Sequence, residues 1–415
     1  MNKLLVIPIL AGILWLLDYL VFQGLGVALG AFSGLEAAEW TNIYWGISYF
    51  SLAALFAYHF IPPRILGRRL RTVIMIGLFI LYFGKFISLV FLSFGEIAYL
   101  LIALGKSLLG DGFPPIASLR SPGWSLFSLG MGLLPMLTLT WGILFGAHAY
   151  KVIRTKVHLP KLPPAFEGLK IVQLSDIHSG SFWDKKAVAK GIDLAMAQEA
   201  DVIFFTGDLV NNTADEMQPY TEIFGRLSAP LGVFSILGNH DYGDYVSWSN
   251  PEAKVNNLRK LMDIHASMGW DLLINEHRIL EKDGARIAVL GIENWGAKGR
   301  FPQYGKMEEA YPGTETSPVK LLLSHDPSHW KAQVIPSYPD VDITFSGHTH
   351  GMQYGLEIGK FRWSPVQYFY RQWAGLYQQG KQYLYVNRGF GYLGYPGRFG
   401  IKPEITVMTL TRQKS

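Results

Sequence analysis

Cysteine is absent from this chain of 415 residues. Disulfide bonds are therefore excluded, and so is any metal site built on thiolate ligands. A metal ion bound here has to be held by oxygen and nitrogen atoms. Those donors are plentiful, because the chain contains 11 histidines and 32 aspartates and glutamates.

Charge is scarce in the first part of the chain. Residues 1–150 hold 13 of the 69 Asp, Glu, Lys and Arg side chains, whereas the remaining 265 residues hold 56. The net charge of +5 is far from the strongly basic balance of a nucleic-acid-binding protein, so no nucleic-acid partner is expected. The division predicts a membrane-embedded domain over 1–150 and a water-exposed domain after it.

Long apolar runs predict an N-terminal α-helical transmembrane bundle of about four spans. The runs lie near residues 4–31, 40–60, 72–94 and 124–150, and each reaches the roughly 20 residues that a span requires. The shorter apolar piece 97–109 is expected to extend the third helix. Asp18 and Lys85 are the charges well inside the spans. At about 1.5 Å per residue they lie at equal depth, which favours an ion pair between spans one and three.

Basic residues flank these spans on one side. They are Arg64, Arg68, Arg69 and Arg71 before the third span, and Lys151, Arg154, Lys156 and Lys161 after the fourth. Because cytoplasmic loops carry the excess of Lys and Arg, the amino terminus and the C-terminal domain are expected on the cytoplasmic face of the membrane. Prolines within 151–167 predict a stiff linker that holds the next domain close to the lipid bilayer.

Residues 168–415 have the pattern of an α/β domain. Strand-like runs at 169–175, 201–206 and 232–237 each precede a helical pattern, near 185–199, 214–228 and 252–268. Further strand-like runs lie at 272–281, 285–292, 319–324, 341–346, 382–387 and 404–411. Alternating strands and helices that give way to β-rich sequence predict a layered α/β fold with mixed sheets.

Five of these strand-like runs end at residues of the kind that bind metals. The segments are Asp176-Ile177-His178, Gly207-Asp208, Gly238-Asn239-His240-Asp241, His325 and Gly347-His348-Thr349-His350. Ligands collect at the carboxyl ends of strands in α/β sheets, and the glycines allow sharp turns just past a strand. The five segments are therefore expected to converge on one site.

The candidate metal ligands are Asp176, His178, Asp208, Asn239, His325, His348 and His350. Seven oxygen and nitrogen donors are too many for one tetrahedral zinc ion and suit two first-row ions that share a carboxylate. Asp208 is the best bridge, because it ends a central strand and its carboxylate has two oxygens.

These motifs, in this order, resemble those of the calcineurin-like metallophosphoesterase superfamily, and residues 168–411 resemble its membrane-associated bacterial branch. The resemblance implies a four-layer α/β sandwich, with two mixed sheets flanked by helices, that hydrolyses phosphoesters with two Mn, Fe, Zn or similar ions. Met352 departs from the branch, in which a second glycine is common at that position. The implied ligand sets are Asp176, His178, Asp208 and His350 for one ion, and Asp208, Asn239, His325 and His348 for the other.

Two cations about 3.5–4 Å apart would bind the phosphoryl oxygens and a bridging hydroxide that attacks in line with the leaving oxygen. His240, which the resemblance leaves uncoordinated, is the candidate to stabilise the transition state or protonate the leaving alkoxide, and Asp241 is the candidate to orient its other nitrogen. A metal-stabilised scaffold without turnover, or a regulatory domain attached to a membrane protein, is the alternative hypothesis.

The substrate remains open between a lipid-linked phosphodiester or diphosphate and a soluble phosphodiester. One segment, 361–377, bears on this choice because it mixes aromatic residues with arginine, as is typical of bilayer interfaces. Its rings are Phe361, Trp363, Tyr368, Phe369, Tyr370, Trp373 and Tyr377. The segment predicts a flap beside the metal site that admits the head of a lipid-borne phosphoester. Packing of these rings in the core of the domain is the alternative.

Overall fold

The chain forms two compact units, Met1–Trp141 and Gly142–Ser415. The structure, a computed structural model, describes residues 3–32, 37–109, 121–299, 301, 303–359 and 361–412. The first unit is helical and the second contains all the strands of the described residues. This boundary lies close to the predicted end of the membrane domain at residue 150.

The described residues of the first unit form four long helices and one short helix. They are α1 (Lys3–Phe32), α2 (Ala37–Phe60), α3 (Pro63–Leu66), α4 (Arg68–Leu108) and α5 (Pro122–Trp141). The apolar piece at 97–109 extends the third long helix, as predicted, because α4 runs on without a break for 41 residues.

Three helices are long and apolar enough to cross a membrane within the described part of the chain. They cover Leu4–Gly30, Arg69–Leu108 and Pro122–Gly146. The helical N-terminal region is therefore confirmed, with three candidate spans where about four were expected. Helix α2 has the length of a span, but its tyrosines, tryptophans and His59 make it less apolar than the other three.

The two charges inside the spans form the predicted ion pair. Nζ of Lys85 lies 2.5 Å from Oδ1 of Asp18, and both side chains are buried. The Lys85 amine also lies 3.1 Å from Oγ of Ser48, and the Tyr82 hydroxyl donates to Oδ2 of Asp18 at 3.1 Å. This buried network joins α1, α2 and α4. Removing one partner would leave the other charge unpaired, which costs about 3–5 kcal/mol in buried pairs.

Two six-stranded mixed sheets and a separate hairpin make up the second unit. The first sheet has the order β1-β14-β2-β3-β4-β5, and the second has the order β12-β13-β9-β8-β7-β6. The first sheet contains β1 (Lys151–His158), β2 (Lys170–Leu174), β3 (Val202–Phe205), β4 (Val233–Ser235), β5 (Asp271–Leu272) and β14 (Glu404–Thr411). The second contains β6 (Glu276–Lys282), β7 (Ala285–Gly291), β8 (Lys320–Leu323), β9 (Ile343–Ser346), β12 (Gly375–Gln379) and β13 (Gln382–Val386).

The two sheets pack face to face, and helices cover their outer faces. Phe204 of β3 meets Phe345 of β9 in the middle of the intersheet core, with ring centroids 5.1 Å apart. The neighbouring residue Phe205 points to the other face of its strand and packs under the helices. This period-two division confirms the predicted four-layer sandwich. The helices are α6 (Lys185–Met196), α7 (Thr221–Phe224), α8 (Pro251–Ser267), α9 (Met307–Ala310) and α10 (Ile335–Ser337).

The structure differs from the sequence prediction at residues 151–167, where a Pro-rich linker was expected. Residues 151–158 form the edge strand β1, which pairs in parallel with β14. Leu159, Leu162 and Phe166 are buried in the intersheet core, so the prolines lie in turns of the folded domain. One continuous helix was expected near 214–228, but the structure has two short elements there. Ala214–Met217 is a 3₁₀ turn, and Thr221–Phe224 is a single turn of α-helix.

Candidate metal centre

The predicted ligands lie together at the carboxyl ends of the central strands. The parallel neighbours β2 and β3 lead to Asp176, His178 and Asp208, and β4 leads to Asn239. In the second sheet, β8 and β9 lead to His325, His348 and His350. Because the inner faces of the two sheets pack together, their strand ends meet at one edge of the sandwich.

Four of the ligands form the first group, which consists of Asp176, His178, Asp208 and His350. One donor atom from each lies within 4.8 Å of the donor atoms of the others, and all four residues are buried. Nε2 of His178 lies 3.0 Å from Nε2 of His350, which lies 3.2 Å from Oδ1 of Asp176.

The other three ligands, Asn239, His325 and His348, form a second group beside Asp208. Nε2 of His325 lies 3.2 Å from Oδ1 of Asn239, and Nδ1 of His348 lies 2.9 Å from the same oxygen. Oδ2 of Asp208 lies 3.2 Å from Nε2 of His325 and 3.5 Å from Nε2 of His178 in the first group. One carboxylate oxygen is therefore common to both groups.

The donor set fits divalent cations. Ring nitrogens and carboxylate oxygens face one another at about the distance of a hydrogen bond, and buried lone pairs in contact are stabilised by a proton or a cation between them. Oxygen and imidazole donors without thiolate suit Mn, Fe or Zn. The Thr206 carbonyl oxygen accepts a hydrogen bond from the Nδ1–H of His325 at 2.7 Å, so Nε2 of that ring faces the site.

Strained backbone surrounds these residues. Asp176, His178, Asp208, His348 and His350 all have positive φ, between 49° and 72°, in the left-handed region that residues other than glycine rarely adopt. Such strain clusters at functional sites, where the rest of the fold holds it in place. Gly347 permits the close approach, since a Cβ there would lie 2.2 Å from Oδ2 of Asp176.

Charge distribution in the site follows from burial and from the two carboxylates. Burial lowers the pKa of His178 to about 3, so its imidazole is neutral and the lone pair of one ring nitrogen is available. Burial also opposes protonation of His325, but the charge of Asp208 and its hydrogen bond outweigh this and raise the pKa of His325 to about 10. A cation bound beside Asp208 would take the place of that proton, so ion uptake is coupled to proton release.

His240 lies at the border of the site with its ring half-buried. Its Nδ1 is 2.8 Å from the carbonyl oxygen of Asn211, and its ring packs against those of His178 and Tyr245, with centroids 4.9 Å and 4.4 Å away. Its backbone N–H donates to Oδ1 of Asp208 at 2.9 Å. The orienting acceptor is therefore the Asn211 carbonyl.

Asp241 has a different role from the one predicted, which was to orient His240. The hydrogen bonds to its carboxylate come, within the described residues, from the backbone N–H groups of Asp208, Leu209, Val210 and Gly238, at 2.8–3.2 Å. Burial and the charge of Asp208 raise the pKa of Asp241 to about 7. Asp241 thus holds the strained turn that carries Asp208.

Two tyrosines contact the site. Tyr245 was not singled out in the sequence, and Tyr370 was predicted only as one ring of the segment 361–377. The Tyr245 hydroxyl accepts from Nδ2 of Asn239 at 2.8 Å and so turns the amide oxygen towards the histidines. The Tyr370 hydroxyl lies 3.0 Å from Nε2 of His348 and donates to Oδ2 of the buried Asp326 at 3.1 Å. Asp326 was not predicted to contact the site. Its position directly after the predicted ligand His325 is the sequence signal that could have identified it.

The aromatic segment 361–377 divides between surface and core. Phe361, Tyr368 and Phe369 are exposed, whereas Trp373 is buried beside Val366, Ala374 and Ile401. The expectation that Trp373 belongs to a flap is therefore wrong, because this ring packs in the core of the domain.

The two mixed sheets and the carboxylate–histidine cluster define a metallophosphoesterase domain. The chain belongs to the calcineurin-like phosphoesterase family. The family model described as Calcineurin-like phosphoesterase matches residues 169–352, and the model described as Probable Calcineurin-like phosphoesterase, transmembrane domain, matches residues 2–147. The protein is thus a membrane metallophosphoesterase.

Three relatives illustrate the range of similar proteins. The uncharacterized metallophosphoesterase YkuE of Bacillus subtilis is 32% identical over 62% of this chain and 86% of its own length. A transmembrane protein with metallophosphoesterase domain from Danio rerio is 30% identical over 65% of this chain, but the alignment spans only 59% of that protein. The UDP-2,3-diacylglucosamine pyrophosphatase LpxG of Chlamydia muridarum is 27% identical over 66% of this chain and 93% of its own length.

Proposed function

We infer that this protein is a membrane-anchored phosphoesterase that uses two divalent cations to hydrolyse a lipid-linked phosphodiester or diphosphate. The observation that carries the proposal is the position of Asp208, whose Oδ2 lies within 3.5 Å of a histidine nitrogen in each ligand group. A carboxylate shared by two groups of donors could hold a pair of adjacent cations.

The residues of this chain would divide between the two ions. Asp176, His178, Asp208 and His350 would hold one, and Asp208, Asn239, His325 and His348 the other. When bound, a pair of divalent cations neutralises phosphoryl oxygens and lowers the pKa of a water molecule to near neutrality. Manganese, iron and zinc all suit these donors.

His240 would supply the proton that the leaving oxygen needs. Because the Asn211 carbonyl accepts from Nδ1, Nε2 is the ring atom that can contact a phosphoryl oxygen or transfer a proton. Packing against Tyr245 restricts rotation of the imidazole and keeps it outside the ligand groups. Asp241 would act indirectly, because its carboxylate accepts from the backbone N–H of Asp208 and so fixes the position of that ligand.

A lipid-linked substrate is supported by the membrane-spanning helices of this chain and by one group of relatives. LpxG, by its name, acts on UDP-2,3-diacylglucosamine, which is a diphosphate that carries acyl chains. An enzyme held in a bilayer meets such substrates at high local concentration. Water would cleave a diphosphate into two products that each carry one phosphate, whereas a phosphodiester would give one phosphomonoester and one alcohol.

The test uses the purified full chain in nanodiscs with Mn²⁺, given a lipid diphosphate, a lipid phosphodiester or bis(p-nitrophenyl) phosphate. We expect cleavage of at least one lipid substrate, with one oxygen of labelled water entering the product phosphate by mass spectrometry. EDTA-treated protein is the control. Absence of hydrolysis of all three substrates with Mn²⁺, Fe²⁺ and Zn²⁺ would overturn the proposal.

The proposed location is a bacterial inner membrane, with the metallophosphoesterase domain on the cytoplasmic face. Support comes from the arginines just before and within the first turn of α4, and from the lysines and arginine that follow the last span. In this topology all four long helices cross the bilayer, so the amino terminus and the domain share one side.

Cysteine labelling tests this topology without background, because the chain has no native cysteine. In intact spheroplasts an impermeant maleimide should label Glu39→Cys but leave Ile65→Cys and Val255→Cys unlabelled until the cells are permeabilised. Labelling of Val255→Cys in intact spheroplasts would invert the topology.

A further inference from the structure

The hairpin formed by β10 (Leu356–Ile358) and β11 (Phe361–Trp363) has its faces reversed relative to an ordinary surface hairpin. Both side chains of its polar face bond to the domain. Glu357 pairs with the buried Arg388 at 2.6 Å, and Arg362 donates to the Ala374 carbonyl oxygen at 3.0 Å. Its apolar face, with Ile358 paired across from Phe361, points to solvent, where these side chains are 69% and 60% exposed.

Neighbouring residues extend this apolar face. Six exposed large hydrophobic side chains lie within residues 352–369, whereas only five others are exposed in the described residues after 147. The six are Met352, Leu356, Ile358, Phe361, Tyr368 and Phe369, and we name them the apolar patch. Contiguous exposed apolar surface marks a contact with another molecule or with a membrane.

The apolar patch is tied directly to the metal ligand loop. Tyr370, next to Phe369, contacts Nε2 of His348. The Thr349 hydroxyl donates to the Trp373 carbonyl at 2.7 Å, and the Ser364 hydroxyl donates to the Gly351 carbonyl at 2.8 Å. A molecule seated on the patch is therefore next to the candidate metal centre.

Basic side chains accompany the apolar ones. Arg371 is exposed, and Lys298 is exposed with its Nζ 2.5 Å from the carbonyl oxygen of Phe369. Aromatic rings with adjacent Arg and Lys match the bilayer interface, where rings lie at headgroup depth and cations meet lipid phosphates. The helical unit already attaches the chain to a membrane, so a bilayer surface is the partner that this chain meets.

We propose that the apolar patch inserts into the surface of an anionic bilayer and holds the metal centre at the depth of lipid phosphates. Docking of the apolar patch depends only on the attachment of the chain to a membrane. Delivery of a lipid-linked phosphoester through this docking rests on the proposed function. A substrate in the membrane would then reach the site without leaving the headgroup layer.

Docking is measured on the full chain in vesicles of phosphatidylethanolamine and phosphatidylglycerol that contain doxyl-labelled lipid. A nitrobenzoxadiazole probe is attached at Phe369→Cys, and Val255→Cys, an isolated exposed apolar position on α8, is the matched control. We expect a blue-shifted emission and at least about twofold stronger quenching at position 369, since membrane contact scales with buried apolar area. Equal quenching at both positions would overturn the proposal, whether or not the protein is active.

The contribution of the apolar patch to turnover is measured with a triple variant that combines Phe361→Ser, Tyr368→Ser and Phe369→Ser. Turnover of a lipid phosphodiester in vesicles should fall by about tenfold or more, because three rings no longer enter the bilayer. Turnover of bis(p-nitrophenyl) phosphate should stay within about twofold, as should both activities of Val255→Ser. Equal loss on both substrates would show that the rings stabilise the fold, and unchanged lipid turnover would exclude delivery. If neither substrate is cleaved by the native chain, the proposed function fails while the quenching result stands.

Discussion

Replacing Asp208 by alanine should remove both cations and reduce turnover by more than about 10³-fold. Loss of a group that merely supports a ligand lowers metal affinity or activity by roughly 10–100-fold, so loss of a ligand shared by two ions should exceed that range. In the metal-free variant the cationic His325 would also lose its carboxylate partner, which lies 3.2 Å away. Elemental analysis of the purified full chain measures the ion content.

Asp208→Asn is the companion variant, because it keeps the shape of the side chain and an acceptor for the His240 backbone N–H while removing the charge. It should also lose both ions. Asp193→Ala, which removes an exposed carboxylate paired with Arg226, should keep both. A folded Asp208→Ala protein that still binds one equivalent of metal would show that the two groups do not share this residue.

The candidate site was largely predictable because its signals are local. Each apolar strand ends at its ligands, and the chain order of β2, β3, β4, β8 and β9 leads those ends to one edge. The role of Asp241 was not predictable in this way. Its carboxylate accepts from backbone N–H groups about 30 residues earlier in the chain. Every residue type except proline has a backbone N–H, so the sequence does not indicate which donors a carboxylate will contact.

The edge strand β1 shows where composition misleads. Its alternation of charged and apolar residues, followed by prolines, has the appearance of a linker, yet an edge strand needs only one apolar face and one neighbour. The pairing partner β14 lies some 250 residues later, so no local pattern reports it. The same limit applies to Trp373, which is buried by the distant Ile401, whereas Phe369, four residues earlier, is exposed.

The Asp18–Lys85 pair was predictable because a membrane restricts the possibilities. A charge at depth requires a partner at the same depth, and helical rise converts sequence position into depth. The additional contacts from Ser48 and Tyr82 depend on how α1, α2 and α4 rotate against each other, which hydropathy does not determine.

Replacing His240 by alanine should leave both cations bound and slow turnover by about 10²–10⁴-fold, which is the usual contribution of a positioned acid or base. The ions are retained because alanine keeps the backbone N–H that donates to Oδ1 of Asp208, and the ring itself belongs to neither ligand group. The loss should depend on the leaving group. A p-nitrophenolate departs without a proton, so its release should be much less affected than that of an alkyl alkoxide.

This dependence separates proton transfer from a packing role. If the His240 ring only supports the fold, through its contacts with His178 and Tyr245, then both leaving groups should be affected equally. His277→Ala is the matched control, since that imidazole is bonded to the Ala310 carbonyl away from the site and its removal should change neither rate. Rates for paired alkyl and p-nitrophenyl phosphodiesters, with metal content measured on the same samples, decide between the two roles. A His240→Ala protein that binds both ions and cleaves the alkyl ester at the native rate would remove His240 from the mechanism.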